Sequence, residues 1–184
     1  MLETENAITS DSASLSPITL FKGGHGFLSN FYPCRVRYTL FVYSSVEHAY
    51  QAAKAKHSDD AARIRAAASA GEAKRLGSEL RTMGRVRPDW HDIKLEVMSD
   101  LLWQKFVLNH ELRDRLLATG DRQLIEGNSH RDTFWGVYRG TGTNHLGNLL
   151  MRLRAVARYV AENQTAPTEG SYSDDGRQPR EPAG

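Results

Sequence analysis

Residues 35–54 read RVRYTLFVYSSVEHAYQAAK, and their character changes at Ser44. Before it, β-branched and aromatic residues cluster, which predicts a small antiparallel hairpin turning near Tyr38 and Thr39. After it, alanines dominate and the pattern turns helical, predicting a helix over 45–57. Working outward, ITLF at 18–21 reads as a further strand, and everything beyond the helix is mostly helical. Ser58 is placed to cap the next helix, Gly71 interrupts before EAKRLGSEL, and Pro88 and Asp89 lead into a long helix. That helix carries Trp90, Ile93, Val97, Leu101 and Leu108 near one stripe. HELRDRLLATG gives another helix ending at Gly120, and QLIEG reads as a strand returning to the sheet. The last helix starts near Asn144, with Leu146, Leu149, Leu150, Leu153, Val156 and Val160 on its apolar face. Strands this few and clustered exclude a doubly wound sheet. The fold class read from the sequence is α+β, a predominantly helical single domain around a small antiparallel sheet.

The chain has 184 residues, 40% hydrophobic and 25% charged, enough for one domain with a real core. Residues 1–16 and 164–184 are rich in Ser, Thr, Pro, Gly and charge, and read as disordered tails around a domain at 17–163. The net charge of +2 gives no broad footprint for a nucleic-acid backbone but suits a small anionic ligand. Cys34 is the single cysteine, and the seven histidines are scattered without zinc-site spacing, so neither a disulfide nor a metal hydrolase is expected. A reducing cytoplasm is the expected location. The longest apolar stretch near the N-terminus, LFVY at 40–43, is far too short to span a bilayer, so no membrane association is expected.

On the helix after Ser44, taking Glu47 as origin, Gln51 falls at about 40°, Lys54 at about 340° and Tyr50 at about 300°. Glu47, Gln51 and Lys54 therefore share a face. Ser44-Ser45-Val46-Glu47 also fits the capping box, in which a glutamate bonds back to the cap backbone, and from pattern alone capping outweighs catalysis. Against that, Ala49, Ala52, Ala53 and Ala55 allow close packing around the helix, which would enclose its polar residues. Glu47 and Lys54 are separated by roughly 10.5 Å of rise, which favours two long side chains converging on a ligand such as a sugar over a direct ion pair.

Elsewhere, RDTFWGVYRGTGTNHLGNLLM at 131–151 joins an acid and an aromatic to Gly136, Gly140 and Gly142 just ahead of a helix. A phosphate could sit on the N–H groups of that helix's first turn, although a turn with an Asn cap explains the pattern as well. GFLSNFYP at 26–33 holds the polar pair Ser29 and Asn30 between bulky anchors, as a turn or as ligand donors. Arg81, Arg85 and Arg87 form a basic run able to hold a phosphate.

LSNFYP, SSVEHAYQAAKA, WHDIKLEVMSDLLWQKFVLNHELRDRLLATGD and DTFWGVYRGTGTNHLGNLLMRLR occur in this order across most of 22–155, and together they resemble the NADAR family and its YbiA-like branch. The resemblance implies hydrolysis of an N-glycosidic bond between ribose and an exocyclic amine. In the YbiA-like branch the substrates are ribosylamino-pyrimidine 5-phosphate intermediates of riboflavin biosynthesis, cleaved to ribose 5-phosphate. Other members remove ADP-ribose from guanine in nucleic acid. On the family's pattern, Glu47, Lys54, Asp132 and Trp135 would be catalytic, and Ser29, Asn30, Gln51, Trp90 and Asn144 would bind substrate. Family members often carry Gly-Arg where this chain has Gly77-Ser78, so Arg85 or Arg87 would take over the anion contact. The implied fold, a helical domain around a small sheet, agrees with the reading above.

In this reading Glu47 moves the proton, which as a general acid requires burial to outweigh the acidifying pull of a helix N-terminus. Lys54 would trap the opened sugar as a Schiff base and must lose its charge through desolvation or a nearby cation. Asp132 would orient the substrate and Trp135 stack on the heterocycle, with no metal or organic cofactor and no obligate protein partner. Two other classes compete: a non-catalytic ADP-ribose or NAD-derivative binding module, and a helical interaction domain whose motif stripes are all core. The modest charge leans toward a metabolite over an ADP-ribosylated nucleic acid.

Overall fold

The computed structural model describes residues 16–164. The expected tails at 1–16 and 164–184 lie outside them, apart from Ser16 and Gln164. A 3-10 turn at Gly23–Leu28 leads to strands β1 (Val36–Tyr38) and β2 (Phe41–Tyr43), followed by helices α1 (Val46–Ala53), α2 (Ser58–Arg65), α3 (Ala70–Thr82), α4 (Trp90–Phe106), α5 (His110–Leu117) and α6 (His145–Gln164). The protein is thus mostly helical with a two-stranded antiparallel sheet, in which Val36 faces Tyr43 and Tyr38 faces Phe41. The hairpin turns at Thr39 and Leu40, with Thr39 at φ 52, an unusual conformation for a β-branched residue.

Helix α1 is the centre of the fold. All eight of its residues are buried, including Glu47, His48 and Gln51, and it packs on α2, α3, α4 and the hairpin. Its alanines make this close packing possible, and its buried polar residues must find partners within the protein. The helix ends at Ala53, earlier than the expected 57. Residues 54–56 instead pair with 85–87: Arg87 N donates to Lys54 O at 2.8 Å and Lys56 N to Arg85 O at 2.9 Å.

Several further expectations change once tertiary pairing is seen. Gly71 lies inside α3, whose cap is Ser69, accepting from Glu72 N at 3.1 Å while the Glu72 carboxylate accepts from Ala68 N at 2.8 Å. Ser58 is the first residue of α2 and not its cap; His57 holds the cap position and makes no side-chain bond there. In α4 the buried stripe is Val97, Met98, Leu101, Leu102 and Phe106, whereas Leu108 falls past the helix end and is 64% exposed. On α6 the buried apolar line is Leu146, Leu150, Leu153 and Ala157, and Val156 turns outward. QLIEG does not rejoin the hairpin. Leu124 bridges Ile18 in parallel, and Thr19 O, the next residue of ITLF, accepts from Gly127 N at 3.2 Å. Among the described residues no helix is long and apolar enough to cross a membrane.

Candidate active site

The first turn of α1 decides what Glu47 is. Ser45, not Ser44, is the N-cap: its Oγ accepts from His48 N at 3.2 Å and lies 2.7 Å from His48 Nδ1. That frame puts His48 at the third helical position and Glu47 at the second, so the capping-box reading of Glu47 fails. Glu47 N donates instead to Asn30 O at 3.0 Å. Its side chain, 5% exposed, accepts from Gln51 Nε2 at 2.7 Å. Burial raises its pKa above the ordinary carboxylate range, against the lowering influence of Gln51, Lys74 and Lys54. Burial therefore outweighs the neighbouring groups that would lower it.

Two turns further along the same face, Lys54 caps the C-terminus of α1 and makes no ion pair among the described residues. Its Nζ sits 5.3 Å from the Tyr50 ring centre and 6.0 Å from that of Trp90. Burial lowers its pKa to about 8, helped by the positive charges of Arg81 and Lys74 and opposed by Glu47. A usable fraction of the amine is then neutral near pH 7, as a nucleophile requires.

Tyr50 organises the aromatic wall. Its ring meets Trp90 edge-on at 4.9 Å and Trp135 at 5.5 Å, and its hydroxyl accepts from Trp135 Nε1 at 3.2 Å. Trp135 is held there by Asp132, whose Oδ1 accepts from Phe134 N and Trp135 N, both at 2.9 Å. Asp132 therefore builds the turn, and its charge also reaches Glu47, Tyr50 and Glu126.

The remaining sequence candidates divide. Asn30 lies beside Glu47, buried, with Oδ1 lacking a hydrogen-bond partner. Ser29 Oγ accepts from Phe31 N at 3.2 Å, and Ser29 O accepts from Lys105 Nζ at 2.7 Å. Asn144 braces the fold in place of the expected substrate contact: Nδ2 donates to Leu124 O at 2.9 Å and Oδ1 accepts from Glu126 N at 3.0 Å. The expected phosphate seat at the start of α6 is also occupied, since His145 N and Leu146 N donate to Phe134 O and Trp135 O at 3.2 and 3.0 Å. Arg87 is not in this site. It is bound in bidentate fashion to Asp89 at 2.6 and 2.8 Å and lines a cleft on the opposite face of α1, while Arg85 pairs with Asp60 at 3.0 Å. Arg81, from the same basic run, is the arginine whose charge reaches Lys54 and Tyr50.

Two further residues of this site escaped sequence reasoning. Lys74 of α3 acts electrostatically on Glu47, Lys54 and Glu126, and lies 3.4 Å from His130 Nε2. Glu126 has Oε2 buried without a hydrogen-bond partner, and burial, followed by Asp132, raises its pKa to about 7. An acid between Ile125 and Gly127 in a segment read as a strand was the available signal. It becomes informative only once Asn144 is known to hold that segment against the site.

A NADAR domain model matches residues 20–158. A riboflavin biosynthesis protein of Vibrio vulnificus is 43% identical over 131 residues, which make up 71% of this chain and 35% of that protein. An N-glycosidase of Nostoc punctiforme is 39% identical over 138 residues, covering 73% of this chain and 86% of that one. The chain thus spans about a third of the Vibrio protein and most of the Nostoc protein. The solution structure of the Escherichia coli protein YbiA superposes with a TM-score of 0.67 at 31% identity, covering 82% of this chain and 89% of that chain.

Proposed function

The chain belongs to the NADAR domain family, and from that premise we propose that it is an N-glycosidase cleaving the bond between ribose C1′ and an exocyclic amine of a ribosylamino-pyrimidine 5-phosphate. The observation that carries this reading is the pairing of a buried carboxyl of raised pKa, Glu47, with a half-buried lysine of lowered pKa, Lys54, on one helix face. Protonated Glu47 gives its proton to the ribose ring oxygen, the C1′–O4′ bond opens, and the exocyclic nitrogen becomes an iminium. The neutral Lys54 amine adds to C1′, a proton passes to the exocyclic nitrogen, and the C1′–N bond breaks to release the aminopyrimidine. Water then hydrolyses the lysine Schiff base, returning ribose 5-phosphate and free Lys54. Trp90, Tyr50 and Trp135 form the wall against which the heterocycle rests, and Lys74 and Arg81 attract the 5-phosphate.

Mass spectrometry on a freshly prepared ribosylamino-pyrimidine phosphate and on an ADP-ribosylated guanine oligonucleotide tests this directly. Ribose 5-phosphate from the first, absent with Lys54→Ala, is the expected result, together with a borohydride-trapped adduct on Lys54. ADP-ribose released only from the second would transfer the activity to nucleic acid. Cleavage of neither, with binding retained, would make this a ligand-binding module.

A further inference from the structure

A second cleft lies apart from the site above. It has a volume of about 390 Å³ and lies between the β1–β2 hairpin, the end of α1 and the start of α2, on the face of α1 opposite Glu47. We propose that this cleft is a second ligand site, for a flat heteroaromatic ring carrying one phosphate, of mononucleotide size.

Shape comes first. Ala52, Ala53, Ala55, Ala61 and Ala62 form its floor, and side chains this short cannot reach across to the hairpin. The opposing wall is aromatic, made of Tyr38, Phe41 and Tyr43. Phe41 is left 48% exposed, an apolar ring only partly covered by its neighbours. The volume sits at the lower end of the usual range for small-molecule pockets, enough for one ring system and a charged substituent.

Charge sets the second requirement. Lys56, Arg65 and Arg87 line the cleft against a single carboxylate, Asp59. Arg87 is neutralised by Asp89 and lies 3.3 Å from the Tyr38 hydroxyl, so it stiffens the wall. Lys56 and Arg65 have no carboxylate partner among the described residues. The Arg65 guanidinium stacks on Phe41 at 3.9 Å from the ring centre, presenting a π surface and a positive charge at one place. A flat ring against Phe41 and Tyr38, with its phosphate toward Lys56 and Arg65, satisfies both features. None of these residues belongs to the candidate active site, so this inference stands or falls independently of the proposed reaction.

The test is an NMR titration of the full chain with AMP, using adenosine and inorganic phosphate as controls. Saturable shifts at Phe41, Tyr38, Ala62 and Arg65 are expected at sub-millimolar AMP, with each control at least tenfold weaker. Arg65→Ala should weaken binding about tenfold and Ala62→Trp, a filling substitution at an exposed helix position, should abolish it. Lys54→Ala should leave it unchanged. Shifts confined to Tyr50, Trp90 and Trp135 would mean that AMP enters only the candidate active site and would overturn the proposal. So would wild-type binding by Ala62→Trp, or no saturable shift at any position.

Discussion

Glu47 carries a carboxyl that would cap the helix if the frame were shifted by one residue. Because Ser45 and His48 close the first turn, substituting Glu47 removes no cap, and Glu47→Gln should change the melting temperature little while lowering kcat by roughly 100-fold or more. A loss of about 1 kcal/mol of stability with activity intact would restore the capping role. Glu126 offers a separate readout. Its folded pKa is about 7, above the unfolded value of 4.5, so between those limits the folded state holds more protons. Stability must then fall as pH rises from 4.5 to 7 and level off above, by on the order of 2 kcal/mol after allowing for partial exposure. Glu126→Gln should flatten that slope in denaturant titrations. An unchanged slope would mean that Glu126 titrates normally.

At the scale of elements, the sequence made the hairpin, the long α4 and the polar face of α1 legible because each rests on local periodicity. It hid what depends on pairing between distant segments: 54–56 against 85–87, which ends α1 early, and Leu124 against Ile18, which brings Glu126 to the site. The same limit applies to Gly77. In a solvent-facing helix an alanine there would stabilise by up to about 1 kcal/mol. Here α3 crosses α1 so closely that a Cβ on Gly77 would fall 2.7 Å from Gln51 Cδ and 2.9 Å from Gln51 Cβ, with Gln51 Oε1 nearer still. Gly77→Ala should therefore cost about 1 to 3 kcal/mol and displace the residue bonded to Glu47. Adding Gln51→Ala should recover most of that stability without restoring activity. Strictly additive losses in chemical denaturation would show that the two residues do not press on each other.

Across the whole molecule, one chain of contacts connects α4 to α1 and on to α3. Lys105 of α4 donates to Ser29 O, Asn30 O accepts from Glu47 N, Glu47 accepts from Gln51, and Gln51 abuts Gly77. Lys105 is the unusual member, a lysine only 1% exposed whose pKa burial lowers to about 8. No carboxylate among the described residues is bonded to it, so its charge is a cost to the fold below pH 8, and that cost declines as pH rises through 8 toward the unfolded value of 10.5. A protein selected for stability alone would carry methionine there, which matches its length and needs no partner. Retention of the lysine makes sense if its bond fixes the Ser29–Asn30 backbone, and through it the start of α1. Lys105→Met should thus hold or raise the melting temperature at pH 7 while lowering kcat about tenfold, a separation of stability from function that simple core damage would not produce. Its melting temperature should also gain less than the wild type's between pH 8 and 10, since the group whose burial penalty shrinks over that range is gone. Full activity in a stable Lys105→Met protein would show that the Ser29–Asn30 segment holds its position without the lysine.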